Sequence, residues 1–126
     1  MKLFSNIRYL IIIIVGLLVI TLSCSKTNKK KVTYIATDAI SEYNLQYINK
    51  DNILTKIIVS PQSAQDEWNY NFIADYGEIV YISGDYRDIN SSLKIMILVD
   101  GKVYKQASNE ADTLGYLTVS GTVPYD

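Results

Sequence analysis

The chain has 126 residues but contains no histidine and only one cysteine. Without histidine it lacks the commonest general base of enzymes and the commonest metal ligand. A single cysteine excludes an internal disulfide bond and any zinc site built from several cysteines. The 12 basic and 13 acidic residues give a net charge of −1, which provides no electrostatic footprint for nucleic acid. We therefore expect a protein that is not an enzyme, has no cofactor or metal, and binds no nucleic acid.

Charged residues are also missing from Leu10–Leu22, a run of 13 residues that follows a basic start with Lys2 and Arg8. A membrane-spanning helix needs about 20 apolar residues, whereas the apolar core of a signal peptide has about 7–15. Cys24 follows this run directly, between two serines. The order resembles the signal peptide of bacterial lipoproteins, so we predict a leader over 1–23 and lipidation of Cys24. The alternative is an uncleaved single-pass anchor.

The segment after the cysteine is basic, with four lysines in Ser25–Lys31. We interpret 24–31 as the lipidated cysteine followed by a solvated tether. Alternatively, the lysines of the tether are attracted to anionic lipid headgroups. A basic tether favours the periplasmic face of the envelope. Stable anchoring needs two or more acyl chains, and a lipidated cysteine of this type carries that many.

From Val32 onward the sequence alternates between apolar and polar residues, and turn residues recur about every 8–12 positions. The predicted strands are Val32–Thr37, Ile40–Ile48, Ile53–Ser60, Trp68–Ala74, Ile79–Ser83, Leu93–Val99, Lys102–Ala107 and Tyr116–Val123. Polar loops are predicted between them, including one from Gly84 to Ser92. These short strands predict an all-β fold, an antiparallel immunoglobulin-like β-sandwich of seven to eight strands formed by residues 32–126.

Two of the predicted strands assign their side chains clearly to opposite faces. In the second strand the aromatic and aliphatic residues alternate with Asn44 and Gln46, which should therefore face outward. In the fourth strand Trp68, Tyr70 and Phe72 should face inward and supply much of the core.

The strongest local signal is Asp100-Gly101 between two β-prone runs, which predicts a hairpin because both residue types tolerate positive φ. A two-residue turn would place Ile97 opposite Tyr104, whereas a turn with a glycine bulge would place Ile97 beside Val103. Both registers remain open. Because both faces of the first run are apolar, we expect it to be a central strand.

Taken together, several of these motifs resemble the MmpS-like transport accessory proteins and their lipoprotein relatives. The matching motifs are Val32-Thr33-Tyr34, Tyr47 on an alternating strand, Trp68-x-Tyr70-x-Phe72, Val80-Tyr81-Ile82-Ser83, Ile95-x-Ile97-x-Val99-Asp100-Gly101-Lys102-Val103 and Ser120-Gly121. The resemblance implies an immunoglobulin-like sandwich outside the cytoplasmic membrane. It also implies an accessory role beside an exporter of the RND type.

Candidate chemical groups are few. Acidic residues occur in the pairs Asp66/Glu67, Asp85/Asp88 and Glu110/Asp112. Acid–base catalysis needs a carboxyl group in a pocket that raises its pKa, and these pairs lie in polar stretches, so we interpret them as solvated loop residues. Asp85, Asp88 and Asn90 could offer oxygen ligands to calcium, but they lack the spacing and glycine of an EF-hand loop.

These observations predict a membrane-anchored, non-enzymatic β-sandwich lipoprotein, attached through Cys24 and exposed on the periplasmic side, that binds a partner protein or another envelope component. The alternative is a carbohydrate- or lipid-binding module, for which solvent-facing Tyr76, Tyr81 or Tyr86 would form the platform. A hydrolase would need a pocket that holds two close carboxylates. The first or last strand should offer a free edge to a partner strand.

Overall fold

The computed structural model describes residues 6–7, 9–14, 28–110 and 115–125. Residues 6–7 and 9–14 are helical. Among the described residues, no helix has both the length and the apolar character needed to cross a membrane. Cys24 and the predicted cleavage site fall outside the described residues, so lipidation of this cysteine stays a prediction.

The described residues form eight β-strands, and every pair of neighbouring strands is antiparallel. The strands are β1 (Lys29–Thr37), β2 (Tyr43–Ile48), β3 (Leu54–Val59), β4 (Trp68–Asp75), β5 (Ile79–Tyr86), β6 (Leu93–Val99), β7 (Lys102–Asn109) and β8 (Gly115–Thr122). They form sheet A, with the order β4-β1-β6-β7, and sheet B, with the order β3-β2-β5-β8. The predicted all-β antiparallel sandwich is confirmed.

The first five strands follow an immunoglobulin-like arrangement. Strands β1 and β4 pair as strands B and E do in that fold, and β3, β2 and β5 pair as C′, C and F do. The hairpin β6-β7 then lies beside β1, where the first strand of an immunoglobulin domain would lie, and β8 takes the place of strand G. Strand β1 is therefore central, which makes the prediction of a free edge at the first strand wrong; β8, the last strand, is an edge of sheet B.

Strand β1 begins at Lys29, three residues before the predicted start of the first strand at Val32. The last residues of the predicted tether instead pair with β4, where Lys29 lies opposite Asp75. Lys30 Nζ also lies 3.4 Å from the Asp100 carboxylate. Lys29, Lys30 and Lys31 are therefore part of sheet A. Their backbone groups pair with β4, although lysine side chains contribute little apolar surface to the core.

Strand β5 continues to Tyr86, although a polar loop was predicted from Gly84 onward. Its last three residues are paired on both sides, with β2 and with β8. A Cβ atom at Gly84 would lie only 2.6 Å from Leu93 Cδ2, so this glycine marks close packing between the sheets. In the sequence, the same glycine among polar residues looked like a turn signal.

The hairpin at Asp100-Gly101 combines parts of both predicted registers. Both residues have positive φ, 50° and 79°, as a two-residue type I′ turn requires. A β-bulge follows, so that Ile97 pairs with Lys105, and neither Tyr104 nor Val103 takes the predicted position opposite Ile97. Strand β6 is central, between β1 and β7, as predicted.

The core lies between the inner faces of the sheets and is organised around Tyr34, whose side chain is fully buried. The Tyr34 hydroxyl donates to the Ile48 carbonyl oxygen at 2.9 Å and accepts from the Tyr81 backbone N–H at 3.2 Å. Tyr34 belongs to sheet A, whereas Ile48 lies in β2 and Tyr81 in β5 of sheet B. The Tyr34 hydroxyl therefore connects the two sheets. Rings of β4 pack around it; the Phe72 ring centroid lies 5.3 Å away.

Candidate functional site

The acidic pairs lie at the surface, and Asp66 and Glu67 line an open pocket of about 240 Å³ beside Trp68. Asp66 and Glu67 are exposed in the loop before β4. Asp85 lies on the outer face of β5, whereas Asp88 Oδ1 accepts the backbone N–H of Asn90 at 2.9 Å and so stabilises the turn that follows β5. The side chain of Asp88 is thus engaged in local structure.

The third acidic pair, Glu110 and Asp112, is described only in part. Glu110 is exposed, and its predicted partner Asp112 lies outside the described residues. Within the described ranges no three His, Cys, Asp or Glu side chains come together as a possible metal site.

The tyrosines proposed as a sugar platform do not form a solvent-facing ring. Tyr86 is only 4% exposed, and Tyr76 and Tyr81 are half-buried. Tyr86 turns inward because β5 continues to this residue and places it opposite Gly115, where no side chain competes for the space. The tyrosine that is exposed on sheet B is Tyr116, at 65%.

The outer face of sheet B carries a coherent group of polar side chains, most of them half-buried or exposed. Its two cross-strand rows, which we call the polar face, are Ile58-Asn44-Asp85-Tyr116 and Lys56-Gln46-Ser83-Thr118. Each row runs from β3 through β2 and β5 to β8. The alternation in β2 explains its position, because Tyr43, Leu45 and Tyr47, which alternate with Asn44 and Gln46, are buried in the core, as predicted.

An amide and a carboxylate form the centre of the polar face. Asn44 Nδ2 donates to Asp85 Oδ2 at 3.1 Å, which holds both side chains in a fixed orientation across β2 and β5. Beside them lies an open groove of about 630 Å³, lined by Asn44, Leu45, Gln46, Lys56, Ile57, Ile58 and Asp85. This volume is within the range of about 300–1,000 Å³ that small-molecule sites occupy.

A cluster of hydroxyl groups borders the groove on the side of β8. Hydrogen bonding to the side chain of Thr118, and to a lesser extent to Tyr81 and Ser83, lowers the pKa of the Tyr116 hydroxyl. Ser83 is only 2% exposed although it belongs to the outer face. The Tyr116 side chain is 65% exposed, so most of its ring stays in contact with solvent.

The polar face offers donors and acceptors of several kinds: two amides, one carboxylate, one ammonium group and several hydroxyls. Asp85 is the sole acid among the described residues that line the groove. A two-carboxylate hydrolytic mechanism needs a second one nearby. What the arrangement can do is form hydrogen bonds with a ligand that carries many hydroxyl groups, with Tyr116 and Ile58 as apolar contacts at its two ends.

No family model matches the chain, and a search of curated proteins finds no relative. Part of the polar face followed from the sequence, since the alternation of β2 places Asn44 and Gln46 outside. The Tyr116 cluster was missed because it depends on the pairing of β5 with β8, which are separated by some thirty residues of chain. No local signal marks such a pairing.

Proposed function

We propose that this protein is a non-enzymatic binding module of the bacterial cell envelope, anchored by lipid on Cys24 and exposed on the periplasmic side. The leader supports the anchor: a basic start, 13 residues without charge and then the only cysteine. Strand β1 begins at Lys29, five residues after Cys24. Five extended residues span at most about 18 Å, so such an anchor would hold the sandwich close to the membrane.

The ligand that the polar face fits best is a hydroxyl-rich envelope component, such as a glycan. The observation that carries this proposal is the fixed Asn44–Asp85 pair at the centre of an open groove. Planar amide and carboxylate groups satisfy paired hydroxyls, and an exposed tyrosine such as Tyr116 offers an apolar surface to the face of a sugar ring.

Binding is tested by calorimetry of the full chain in detergent with a chitin tetrasaccharide, a soluble glycan of N-acetylglucosamine. We expect binding that Gln46→Ala weakens at least about tenfold, since a lost buried hydrogen bond costs about 1–3 kcal/mol. Asn69→Ala is the matched control, because Asn69 is an exposed amide on the outer face of sheet A. Equal loss in both variants, or no heat of binding with the native chain, would refute glycan binding by this face.

The anchor is tested separately by mass spectrometry of the native N-terminus. A chain that begins at an acylated Cys24 supports it, and Cys24→Ser should then leave the protein unacylated and uncleaved. Recovery of a native chain that still begins at Met1 without acyl groups would refute it. The two tests are independent, because the polar face lies on β2, β3, β5 and β8 and does not involve the leader.

A second candidate, the accessory role beside an RND-type exporter, rests on the resemblance to MmpS-like proteins. The motif Ile95-x-Ile97-x-Val99-Asp100-Gly101 forms the central strand β6 and the turn that follows it. These residues therefore have a structural role, which supports the resemblance in fold more directly than the accessory function. Crosslinking of the full chain in intact cells distinguishes the two candidates: recovery of an exporter subunit favours the accessory role.

A further inference from the structure

The open pocket beside Trp68, which we call the end pocket, lies where β3 ends and β4 begins. Its walls come from β2, from the ends of these two strands and from the loop that joins them, and they include Tyr43, Val59, Pro61, Asp66, Glu67 and Trp68. Its volume is about 240 Å³, below the range of about 300–1,000 Å³ that is usual for sites enclosing a whole small molecule. The end pocket therefore suits a single functional group of a ligand.

A buried hydroxyl group without a partner lies at the bottom of the end pocket. Tyr43 is only 2% exposed and lies on the inner face of β2, opposite Val59 of β3. Among the described residues, its hydroxyl makes no hydrogen bond. Burial, and then the charge of Asp66, raise the pKa of Tyr43 to about 12, which places the phenol near that carboxylate. Because a buried tyrosine hydroxyl usually has a partner, this one points to a ligand.

The rim of the end pocket carries two carboxylates. Asp66 and Glu67 are exposed, and in the part of the chain that the structure describes neither forms an ion pair with a lysine or arginine. The Asp66 carboxylate is held in place because it accepts the Gln62 backbone N–H. The Asp66 backbone N–H donates in turn to the Ser63 carbonyl oxygen at 3.0 Å. The rim therefore presents acceptors that no basic side chain of the described residues neutralises.

Trp68 forms the largest apolar part of the wall. Its side chain is half-buried, and its ring packs against the Tyr47 ring, with the centroids 5.1 Å apart. Val59 and Pro61 add further apolar surface to the lining. Among aromatic side chains, the indole ring attracts a cation most strongly. The wall therefore suits a positively charged group and the carbon atoms next to it.

We infer that the end pocket binds a primary ammonium group on an alkyl stem. Such an ammonium group has three hydrogen-bond donors, which match the Tyr43 hydroxyl at the bottom and the two carboxylates at the rim. The stem would lie along the indole ring of Trp68. A quaternary ammonium group fits less well, because it has no N–H to donate to the buried hydroxyl, and an anion would be repelled by both carboxylates.

The end pocket lies far from the place where β1 begins. Trp68 lies opposite Ala36, near the end of β1, and Lys29 at its start is about 23 Å away, at about 3.3 Å for each residue of the strand. In the anchored protein proposed above, the pocket would thus be remote from the membrane, so a soluble amine or a lysine side chain fits better than a lipid headgroup. The pocket is also separate from the polar face, because Tyr43 points inward whereas Asn44 points outward.

The test uses Trp68, the only tryptophan of the chain, as a reporter inside the pocket. Butylammonium is titrated into the isotope-labelled full chain in non-ionic detergent and phosphate buffer at constant ionic strength, and the NMR signal of the indole N–H is followed. We expect a saturable shift with a millimolar dissociation constant, and none with butan-1-ol, which keeps the stem but lacks the charge. An equal response to the alcohol, or no saturable shift with the amine, would overturn the inference.

Variants test the assigned contacts. Tyr43→Phe should raise the dissociation constant of butylammonium at least about tenfold, because a hydrogen bond to a charged group is lost. It should leave thermal stability unchanged, since the hydroxyl has no partner to lose. Glu67→Gln should raise the dissociation constant about threefold, whereas Glu78→Gln, a matched control in the turn at the opposite end of β4, should not. Unchanged binding by Tyr43→Phe, or equal effects of the two glutamine variants, would contradict the assignment.

Two further probes distinguish the sources of the ammonium group. Tighter binding of Nα-acetyl-lysine N-methylamide than of butylammonium would support the pocket as a site for a lysine side chain of a peptide or protein. Tighter binding of butylammonium would support it as a site for a free amine. Tetramethylammonium should bind more weakly than both, and equally tight binding of this cation would overturn the role of the Tyr43 hydroxyl as an acceptor.

Discussion

The two long sides of this sandwich are built differently. On one side β7 packs against β8, and the contact depends on glycine: a Cβ atom at Gly121 would lie 3.1 Å from the Tyr104 ring. On the other side the edges are β3 and β4, and aromatic rings fill the space between the sheets. The Tyr47 ring centroid lies 5.1 Å from that of Trp68 and 5.0 Å from that of Tyr70.

This difference shows two ways to complete a small core. The closed side brings backbones together at glycines, and added volume has no room at Gly115, where a Cβ atom would lie 1.9 Å from Tyr86 Cε1. The open side keeps the backbones apart and depends on large rings and on the Tyr34 hydroxyl, so it is sensitive to lost atoms and lost hydrogen bonds. On this side β4 is an edge strand, and among the described strands it pairs with β1 alone.

The largest expected effect is on the closed side, at Gly115. A Cβ atom there would lie 1.9 Å from Tyr86 Cε1, and the ring is held between the sheets, so it has no room to move away. We expect Gly115→Ala to lower the free energy of unfolding by about 3 kcal/mol, the upper part of the range for overpacked cores. Urea denaturation followed by tryptophan fluorescence measures it.

Gly121→Ala is the matched control on the same strand. Its added methyl group would meet the ends of the Tyr104 and Lys105 side chains at 3.1 and 3.2 Å, and these ends can shift. The substitution also reduces the freedom of the unfolded chain, so the net change should stay within about 1 kcal/mol. If both variants lost the same stability, close packing at Gly115 would not be the reason.

The next effect concerns alkaline pH and the open side. Burial raises the pKa of Tyr34 to about 12, against 10.0 for an exposed tyrosine, and it raises the pKa of Tyr43 likewise. The neutral phenols therefore stabilise the fold fully below pH 10, and this contribution is lost as the pH rises through 12. For Tyr34 the loss amounts to at most about 3 kcal/mol, from two units at 1.36 kcal/mol each.

The measurement is the free energy of unfolding between pH 9 and pH 12, in about half-unit steps, compared between the native chain and Tyr34→Phe. The native curve should fall more steeply, since the variant has lost one of the three phenols whose pKa burial raises, which are those of Tyr34, Tyr43 and Tyr47. Ultraviolet difference absorbance gives an independent check: hydrogen bonds lower the pKa of Tyr116, so phenolate should first appear below pH 10, well before Tyr34 ionises. Parallel stability curves would contradict this account.

At neutral pH, Tyr34→Phe should lower the free energy of unfolding by about 2 kcal/mol, because it removes the partner of two backbone groups, the Ile48 carbonyl and the Tyr81 N–H. Tyr70→Phe is the control. The Tyr70 hydroxyl accepts one bond, from the Lys50 N–H at an exposed site, so its loss should cost about 0.5 kcal/mol. Thermal unfolding at neutral pH compares them, and equal losses would mean that Tyr34 does not tie the sheets.

The features that the sequence predicted correctly depend on interactions between residues close in the chain, and most of those that it missed depend on residues far apart in the chain. Alternation within a strand is local, so the faces of β2 and β4 and the turn at Asp100-Gly101 were predicted correctly. The extension of β5 past Gly84 depends on pairing with β2 and β8, which come from distant parts of the chain. The bulge at Tyr104 lies within the local hairpin β6-β7, for which the sequence left two registers open. Gly84 illustrates the limit: a strand glycine that makes room for Leu93 looks the same in the sequence as a turn glycine.

The candidate site shows the same division. The outward amides of β2 could be predicted from alternation, but the Asn44–Asp85 bond and the Tyr116 hydroxyl cluster required the order of strands in sheet B. Tyr86, one of the tyrosines that the alternative of a carbohydrate-binding module needs at the surface, is buried, because an opposing glycine in β8 gives its ring a place inside. Which tyrosine is exposed depends on what lies opposite, and local sequence does not contain that information.

The smallest effect is expected at the tip of the closed side, where Asp100 combines a charge with an unusual conformation. Its carboxylate lies 3.4 Å from Lys30 Nζ, and its Oδ1 accepts the Lys31 backbone N–H at 3.0 Å. Asp100→Asn removes the charge, but it keeps an oxygen acceptor and a residue that tolerates positive φ. We expect a change within about 0.5 kcal/mol, since exposed ion pairs contribute little.

Asp100→Ala separates the two roles, because alanine keeps neither the acceptor nor the tolerance of φ near 50°. We expect it to lower the free energy of unfolding by about 1–2 kcal/mol, independently of salt concentration. Urea denaturation of both variants at low and high salt makes the comparison. If asparagine destabilised as much as alanine, and only at low salt, the ion pair with Lys30 rather than the turn would hold this end of the closed side together.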